Sequence, residues 1–179
     1  MGYEIPAGIG VRMSQPTGEV FVYLGDGGYL MNPTELVTSI QENLKITLVI
    51  SENHGFQSIY GLQMARAGHT FATEFMARDA TTGRLEGAYL EIDFAKNAES
   101  MGARTWYVTT PDDLRKALSE ARAETRCCVI VAKTEPHRVS PASGIWWDVE
   151  VAEVSEDGVI VELRVEYENE RKELQRFYY

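Results

Sequence analysis

Residues 19–28 read Glu19-Val20-Phe21-Val22-Tyr23-Leu24-Gly25-Asp26-Gly27-Gly28. The first six make a short apolar run rich in β-branched and aromatic residues, which marks a buried strand. The run stops at a glycine-rich turn that contains one carboxylate. Pro33 then opens a helix with Asn32 as its expected N-cap, and Leu36, Val37, Ile40 and Leu44 fall on one face. Ile46–Ser51 is a second buried strand, ending at Glu52-Asn53-His54-Gly55-Phe56. One helix and one strand separate Asp26 from Asn53, so the chain returns to the same edge of a parallel sheet.

The same alternation extends outward from this unit. Residues 3–14 carry Ile5, Ile9 and Met13 at helical spacing, with small residues between them that permit close backbone approach. A helix is expected over about 93–102, a strand over Arg104–Val108, and a helix from Pro111. In that last helix Thr110 caps, and Leu114, Ala117, Leu118 and Ala121 form the buried stripe. Cys127–Ala132 is another buried strand, whose two thiols read as inert core groups. Repeated strand–helix units with continuous apolar strands predict an α/β fold, a parallel sheet covered by helices on both faces. Between 57 and 92 the periodicity fades, as in a functional segment or a lid. Glu74 and Asp79 there read as carboxylates of a solvated loop, and His69 and His137 as structural or exposed.

The 179 residues hold 17 Lys+Arg against 27 Asp+Glu, a formal charge of −10. That balance disfavours nucleic acid and anionic membranes as partners. No apolar run approaches the roughly 18–20 residues of a membrane span. The opening residues lack the basic region and apolar core of a signal peptide, and a cytoplasmic domain is expected. Residues 150–179 hold nine of the acids and four of the bases, which suggests a separate acidic tail. Val159, Leu163, Tyr167, Leu174 and Phe177 give that tail a helical period, although Val159–Tyr167 also alternates as a strand would. The expected division is therefore a domain over 1–149 and an acidic helical tail over 150–179.

Ligands of open parallel sheets bind at the carboxyl ends of the strands. The turn after the first strand lacks the third glycine of a dinucleotide fingerprint, since Leu30 stands there, and no Gly-Lys-Ser/Thr follows. Backbone N–H groups in such a turn suit a phosphate, yet Asp26 would repel one unless a cation lay between them. Mg²⁺ binds through a few hard oxygens plus substrate phosphates and makes that repulsion a bridge. Asp26, the amide oxygen of Asn53 and the carbonyl of Gly55 are candidate ligands.

Gly25-Asp26-Gly27, then 25 residues, then Asn53 resembles the thiamine-diphosphate motif of the decarboxylase and acetolactate-synthase superfamily. The resemblance implies the fold's diphosphate-binding domain, with Mg²⁺ on Asp26, Asn53 and Gly55. Gly25, Gly27, Gly28 and Phe56 would border the cofactor, with N–H groups of Gly27 and Gly28 offered to the diphosphate. Met1-Gly2-Tyr3-Glu4-Ile5-Pro6-Ala7-Gly8 is similar to the segment that precedes this motif, where a large apolar residue, here Met1, props the cofactor in a bent shape. Glu52 departs from the pattern, because many members carry an asparagine there.

Phe71-Ala72-Thr73-Glu74-Phe75, Thr82-Gly83-Arg84-Leu85-Glu86-Gly87, Ile92-Asp93-Phe94-Ala95 and Trp146-Trp147-Asp148-Val149 resemble the trihydroxycyclohexane-1,2-dione hydrolase branch of inositol breakdown. That likeness implies cleavage of a cyclic 1,2-dione to 5-deoxyglucuronate, with His54 and Gln57 on the substrate side. In this superfamily the glutamate that activates the cofactor belongs to a pyrimidine-binding domain, normally of a second subunit. A fragment of a larger, homo-oligomeric enzyme is expected, or else a subunit that needs a partner, because Met1 aligns with an internal residue. A decarboxylase or synthase acting on 2-oxo acids would share every metal-site residue. A non-enzymatic nucleotide-binding module would use Asp26 and Asn53 only as turn residues.

Overall fold

A computed structural model describes residues 1–138 and 150–174. They divide into two compact units, the first comprising 1–57 with 72–136, the second 58–71 with the chain from 137 onward. The boundary expected at 149 lies outside the described residues, as do Trp146, Trp147, Asp148, Val149 and Phe177.

In the first unit the chain runs α1 (Glu4–Ser14), β1 (Phe21–Gly25), α2 (Asp26–Met31), α3 (Glu35–Gln41) and β2 (Thr47–Glu52). It continues, after α4 (Gln57–Ala67), through β3 (Met76–Arg78), β4 (Leu85–Tyr89), α5 (Phe94–Ser100), β5 (Arg104–Val108), α6 (Pro111–Ala123) and β6 (Cys128–Lys133). Four strands form one parallel sheet in the order β1-β2-β6-β5. Alternation along each strand serves two cores. Val22, Leu24, Leu48, Ile50, Val129 and Val131 point to one face and meet Ile5, Ile9, Leu36, Phe94 and Ala98. Cys128 and Ile130 point to the other and meet Ala117 and Ala121 of α6. The α/β architecture with helices on both faces is thus present. At β1 the second face is open, with Tyr23 74% exposed.

Close approach explains the small residues of α1. A Cβ at Gly8 would stand 2.3 Å from Val22 Cγ2, so only glycine lets the helix lie this near β1. Burial pushes the Cys128 thiol up to about 11, which keeps it protonated and unreactive. Among the described residues no helix is long and apolar enough to cross a membrane.

The segment after β1 differs from expectation. Asp26–Met31 is itself a helix, and Asn32 is its C-cap rather than the N-cap of the next one, where Thr34 stands. Tyr29 is the reason: its ring is fully buried, edge-on to Phe94 at 5.8 Å, with its hydroxyl donating to Asn97 Oδ1 at 2.7 Å. Burial of one large aromatic outweighs the poor helix propensity of two glycines.

In the second unit the described elements are α4, whose first residue belongs to the first unit, and α7 (Gly158–Leu174). The helical reading of 158–174 is the observed one. Tyr167 is buried at 3% exposure, and Arg66 pairs with Glu170 at 3.3 Å. Arg164 donates to Glu168 Oε1 at 2.8 Å and the Val151 carbonyl at 2.6 Å, and approaches Glu150 and Glu153. His69 contacts Asp157 at 3.2 Å, and His137 stacks on Tyr60.

Arg12 bears no mark in the sequence, yet it ties the end of α1 to the sheet. Buried at 8% exposure, it donates to the carbonyls of Lys45 at 2.8 Å, Gly18 at 2.9 Å, Pro16 at 3.2 Å and Gln15 at 3.4 Å. Arg12→Ala should cost about 2–3 kcal/mol in urea unfolding, because four partly buried carbonyls lose a charged donor. Arg12→Lys should recover less than half of that, since an ammonium lacks the planar fork.

Candidate functional site

The site begins with strand register. β1 and β2 pair from Phe21 opposite Thr47 to Gly25 opposite Ser51, so Asp26 emerges beside the loop that follows Glu52. Its carboxylate has no solvent exposure and four backbone donors. Oδ1 accepts from Gly27 N at 2.7 Å and Gly55 N at 3.2 Å. Oδ2 accepts from Asn53 N at 2.9 Å and His54 N at 2.7 Å. Burial raises the pKa of Asp26 and these four bonds oppose it, burial being the larger effect.

The Asn53 side chain joins the cluster. Its amide atom facing inward lies 3.2 Å from Asp26 Oδ1 and 2.9 Å from the Gly55 carbonyl oxygen. With nitrogen turned inward these are two hydrogen bonds. With oxygen turned inward, three oxygens converge, an arrangement that a hard cation stabilises. The three residues singled out as metal ligands are therefore together.

The glycines separate by role. A Cβ at Gly27 would lie 2.6 and 2.7 Å from ring carbons of Phe56, so this glycine admits the ring. Phe56 also meets Phe75, edge-on at 5.6 Å. A Cβ at Gly28 would meet Glu4 Oε1 at 3.5 Å, an ordinary contact, and one at Gly25 would meet no described atom within 4 Å. Met1 is 67% exposed, and its neighbour Gly2 packs on Met31 at the end of α2.

Residues 54–56 are clamped by a segment whose sequence is irregular. Phe56 N donates to the Thr73 carbonyl at 2.7 Å, Phe75 N to the His54 carbonyl at 2.8 Å, and Gly55 bridges Glu74. Gly55 has φ +149°, and any Cβ there would stand 2.3 Å from Thr73 O. The His54 ring stacks on Tyr89 at 4.4 Å and 14°, and Tyr89 Oη donates to Glu74 Oε1 at 2.7 Å. Glu74 is thus half-buried and engaged, against the expectation of a solvated loop. Gln57 Nε2 turns back to the Asn53 carbonyl at 3.1 Å. Two further polar groups sit at this edge: Glu52, buried with Oε2 unbonded, and the buried Thr73 hydroxyl, also unbonded. The hairpin of β3 and β4 carries no strong sequence signal; only the scattered aromatics of that stretch point to it.

A cluster of this kind, on paired strand ends of a parallel sheet, defines a cofactor-binding domain. Residues 1–132 match the family model of the thiamine pyrophosphate enzyme C-terminal TPP binding domain, and the chain belongs to that family. A 3D-(3,5/4)-trihydroxycyclohexane-1,2-dione hydrolase of Bacillus cereus is 39% identical over 176 residues, 98% of this chain and 27% of that protein. The enzyme of the same name from Geobacillus thermodenitrificans is 42% identical over 155 residues, covering 87% of this chain and 24% of its own length. The chain thus spans about a quarter of the length of these relatives. Among solved structures, a thiamine diphosphate-dependent 4-hydroxybenzoylformate decarboxylase of Rhodococcus jostii RHA1 superimposes with a TM-score of 0.63. At 24% identity over 75% of this chain and 23% of its own, it shows the fold.

The unequal glycines give a direct test. Gly27→Ala must push the Phe56 ring aside and should lower stability by about 1–3 kcal/mol in urea unfolding. Gly28→Ala, in helix and without a close neighbour, should be neutral or stabilising by up to about 1 kcal/mol.

Proposed function

We propose that this chain is the diphosphate- and Mg²⁺-holding part of a thiamine-diphosphate-dependent hydrolase. The substrate would be trihydroxycyclohexane-1,2-dione, opened at a carbon–carbon bond to 5-deoxyglucuronate in cytoplasmic inositol breakdown. The observation that carries the reading is the convergence of Asp26 Oδ1 and the Gly55 carbonyl on the Asn53 amide, at 3.2 and 2.9 Å. One carboxylate and two neutral oxygens form a hard donor set that leaves a divalent cation positive enough to hold a diphosphate. The likeness to two hydrolases of that name over most of the chain supports the substrate.

Each residue then has a task. Asp26, Asn53 and Gly55 hold the metal, with Asp26 also fixing the loop through its four N–H donors. Gly25 leaves open space beside the carboxylate. Gly27, whose N–H is expected from the sequence to face the diphosphate, gives it to Asp26 Oδ1, so Gly28 is left to present backbone at the start of α2. Phe56, between Gly27 and Phe75, forms an apolar wall, and Met1 lies at the entry to α1 as the apolar prop of the cofactor. His54 and Gln57 border the same loop on the substrate side. Thiamine diphosphate, when bound, supplies a carbanion at its thiazolium C2, and the protein supplies position and electrostatics. The glutamate that activates the cofactor belongs to a pyrimidine-binding domain, within a longer chain or a partner subunit of a homo-oligomer.

Calorimetry of the enzyme containing this domain tests the metal assignment. Asp26→Ala should abolish Mg²⁺-dependent binding of thiamine diphosphate. Because Asp26 also braces the loop, Asn53→Ala is the cleaner variant: it should stay folded and weaken Mg²⁺-dependent binding by about tenfold or more. Unchanged affinity in both sinks the reading. Turnover of a 2-oxo acid but not of the cyclic dione would instead move the enzyme to the decarboxylase class. The 179 residues alone should show weak turnover or none, and robust catalysis by them would refute the placement of the activating glutamate elsewhere.

A further inference from the structure

His54 has both backbone groups committed, its N–H to Asp26 Oδ2 at 2.7 Å and its carbonyl to Phe75 N at 2.8 Å. Its φ of +62° is in the left-handed region, which a non-glycine residue enters only when the surroundings hold it there. The direction of its Cα–Cβ bond is therefore set by the metal loop on one side and the hairpin on the other. What remains is the ring, and that is fixed too: it lies nearly parallel to Tyr89 at 4.4 Å. Tyr89 is held in turn by its place opposite Met76 in the β3–β4 ladder and by the 2.7 Å bond from its hydroxyl to Glu74. Glu74 itself pairs with Gly55 through backbone. The circuit is closed: metal loop, imidazole, phenol, carboxylate, and back to the metal loop.

From this geometry we propose that Tyr89 and Glu74 are positioning residues. Glu74 fixes Tyr89, Tyr89 fixes the imidazole of His54, and His54 is thereby presented as an already ordered hydrogen-bonding group to a hydroxyl-bearing cyclic substrate. The proposal rests on the reading of the site given above. An imidazole ordered before the substrate arrives loses little freedom on binding, and immobilising one rotamer-rich side chain accounts for up to about a tenfold change in affinity. The metal loop is held by Asp26 and by backbone bonds to Thr73 and Phe75, none of which uses the Tyr89 or Glu74 side chain. The effect of these two side chains therefore falls on the imidazole and the substrate and not on the cofactor.

Two measurements test this. In the 179-residue chain, the His54 ring protons should resonate upfield through the Tyr89 ring current. Tyr89→Leu should return them to ordinary positions, while Tyr89→Phe, which keeps the ring and loses the Glu74 bond, should leave a reduced shift. In the enzyme containing this domain, Tyr89→Leu should raise KM for the cyclic dione about tenfold, with Mg²⁺-dependent thiamine diphosphate affinity changed by less than about twofold. Glu74→Gln, which can still accept the phenol hydrogen bond, should stay within about threefold of wild type in KM. In a His54→Ala background, Tyr89→Leu should add less than about twofold, because its effect passes through the imidazole. Equal effects with and without His54 overturn the proposal. So does loss of cofactor affinity at unchanged KM, which would make the hairpin a brace for the metal loop only. Wild-type enzyme that fails to bind Mg²⁺ and thiamine diphosphate removes the functional reading itself and this proposal with it.

Discussion

Everything at the carboxyl edge of the sheet depends on one buried carboxylate. Asp26 gathers the N–H groups of Gly27, Asn53, His54 and Gly55, which belong to two different strand ends. A hydrogen bond to a charged group contributes about 1.5–3 kcal/mol, so four of them offset the several kcal/mol that burying a carboxylate costs. The balance is close, and burial still raises the pKa of Asp26. A cation beside Oδ1 would tilt that balance toward the charged form. The same carboxylate thus orders the loop and, in the proposed function, would also meet the metal.

Parallel pairing explains why two residues so far apart in sequence share this task. Neighbouring strands lie about 4.8 Å apart, and an in-register pair brings matched positions to one edge. With Gly25 opposite Ser51, the next residues of each strand enter the same space. Glycine then sets how closely the walls approach. Gly27 admits the Phe56 ring and Gly55 admits the Thr73 carbonyl, whereas Gly25 and Gly28 have no such neighbour. Four glycines that look alike in the sequence answer to different constraints, and only two are demanded by the protein's own packing.

Much of this is legible in the amino-acid sequence. Runs such as Phe21–Leu24 and Thr47–Ser51 read as strands, the second buried on both faces and the first on one face only, where Phe21 and Tyr23 are exposed on the other. The helix from Pro111 announces its cap, its start and its stripe. Asp26 is legible because a carboxylate in a phosphate-type turn needs a physical reason. The features that escape such a reading share one cause, that their stability comes from contacts distant in sequence. The helix Asp26–Met31 rests on Tyr29 reaching Asn97 and Phe94, which no local pattern shows. The helix Gln57–Ala67 has no buried residue and so no apolar stripe to read. The β3–β4 hairpin is short and largely exposed, and Gly87 packs a backbone against the Ala77 carbonyl where a side chain would normally reveal a strand. Glu74 reads as a solvated carboxylate only as long as Tyr89, fifteen positions away, is left out of account.

The strained residues tie these observations together. His54 at φ +62° and Ala72 at φ +53° are non-glycine residues in the left-handed region, and Gly55 beside them in the clamp has φ +149°. Each non-glycine instance costs on the order of 1 kcal/mol or more, so a free loop would relax away from this shape. It does not relax because the bonds Phe56 N to Thr73 O and Phe75 N to His54 O close from the hairpin side. From the sheet side, Asp26 holds the N–H groups of Asn53, His54 and Gly55. A loop fixed from both sides keeps the Gly55 carbonyl directed at Asn53. Under the proposed function, a cation would meet a Gly55 carbonyl and an Asp26 carboxylate that the fold already holds in place, which lowers the ordering cost of binding.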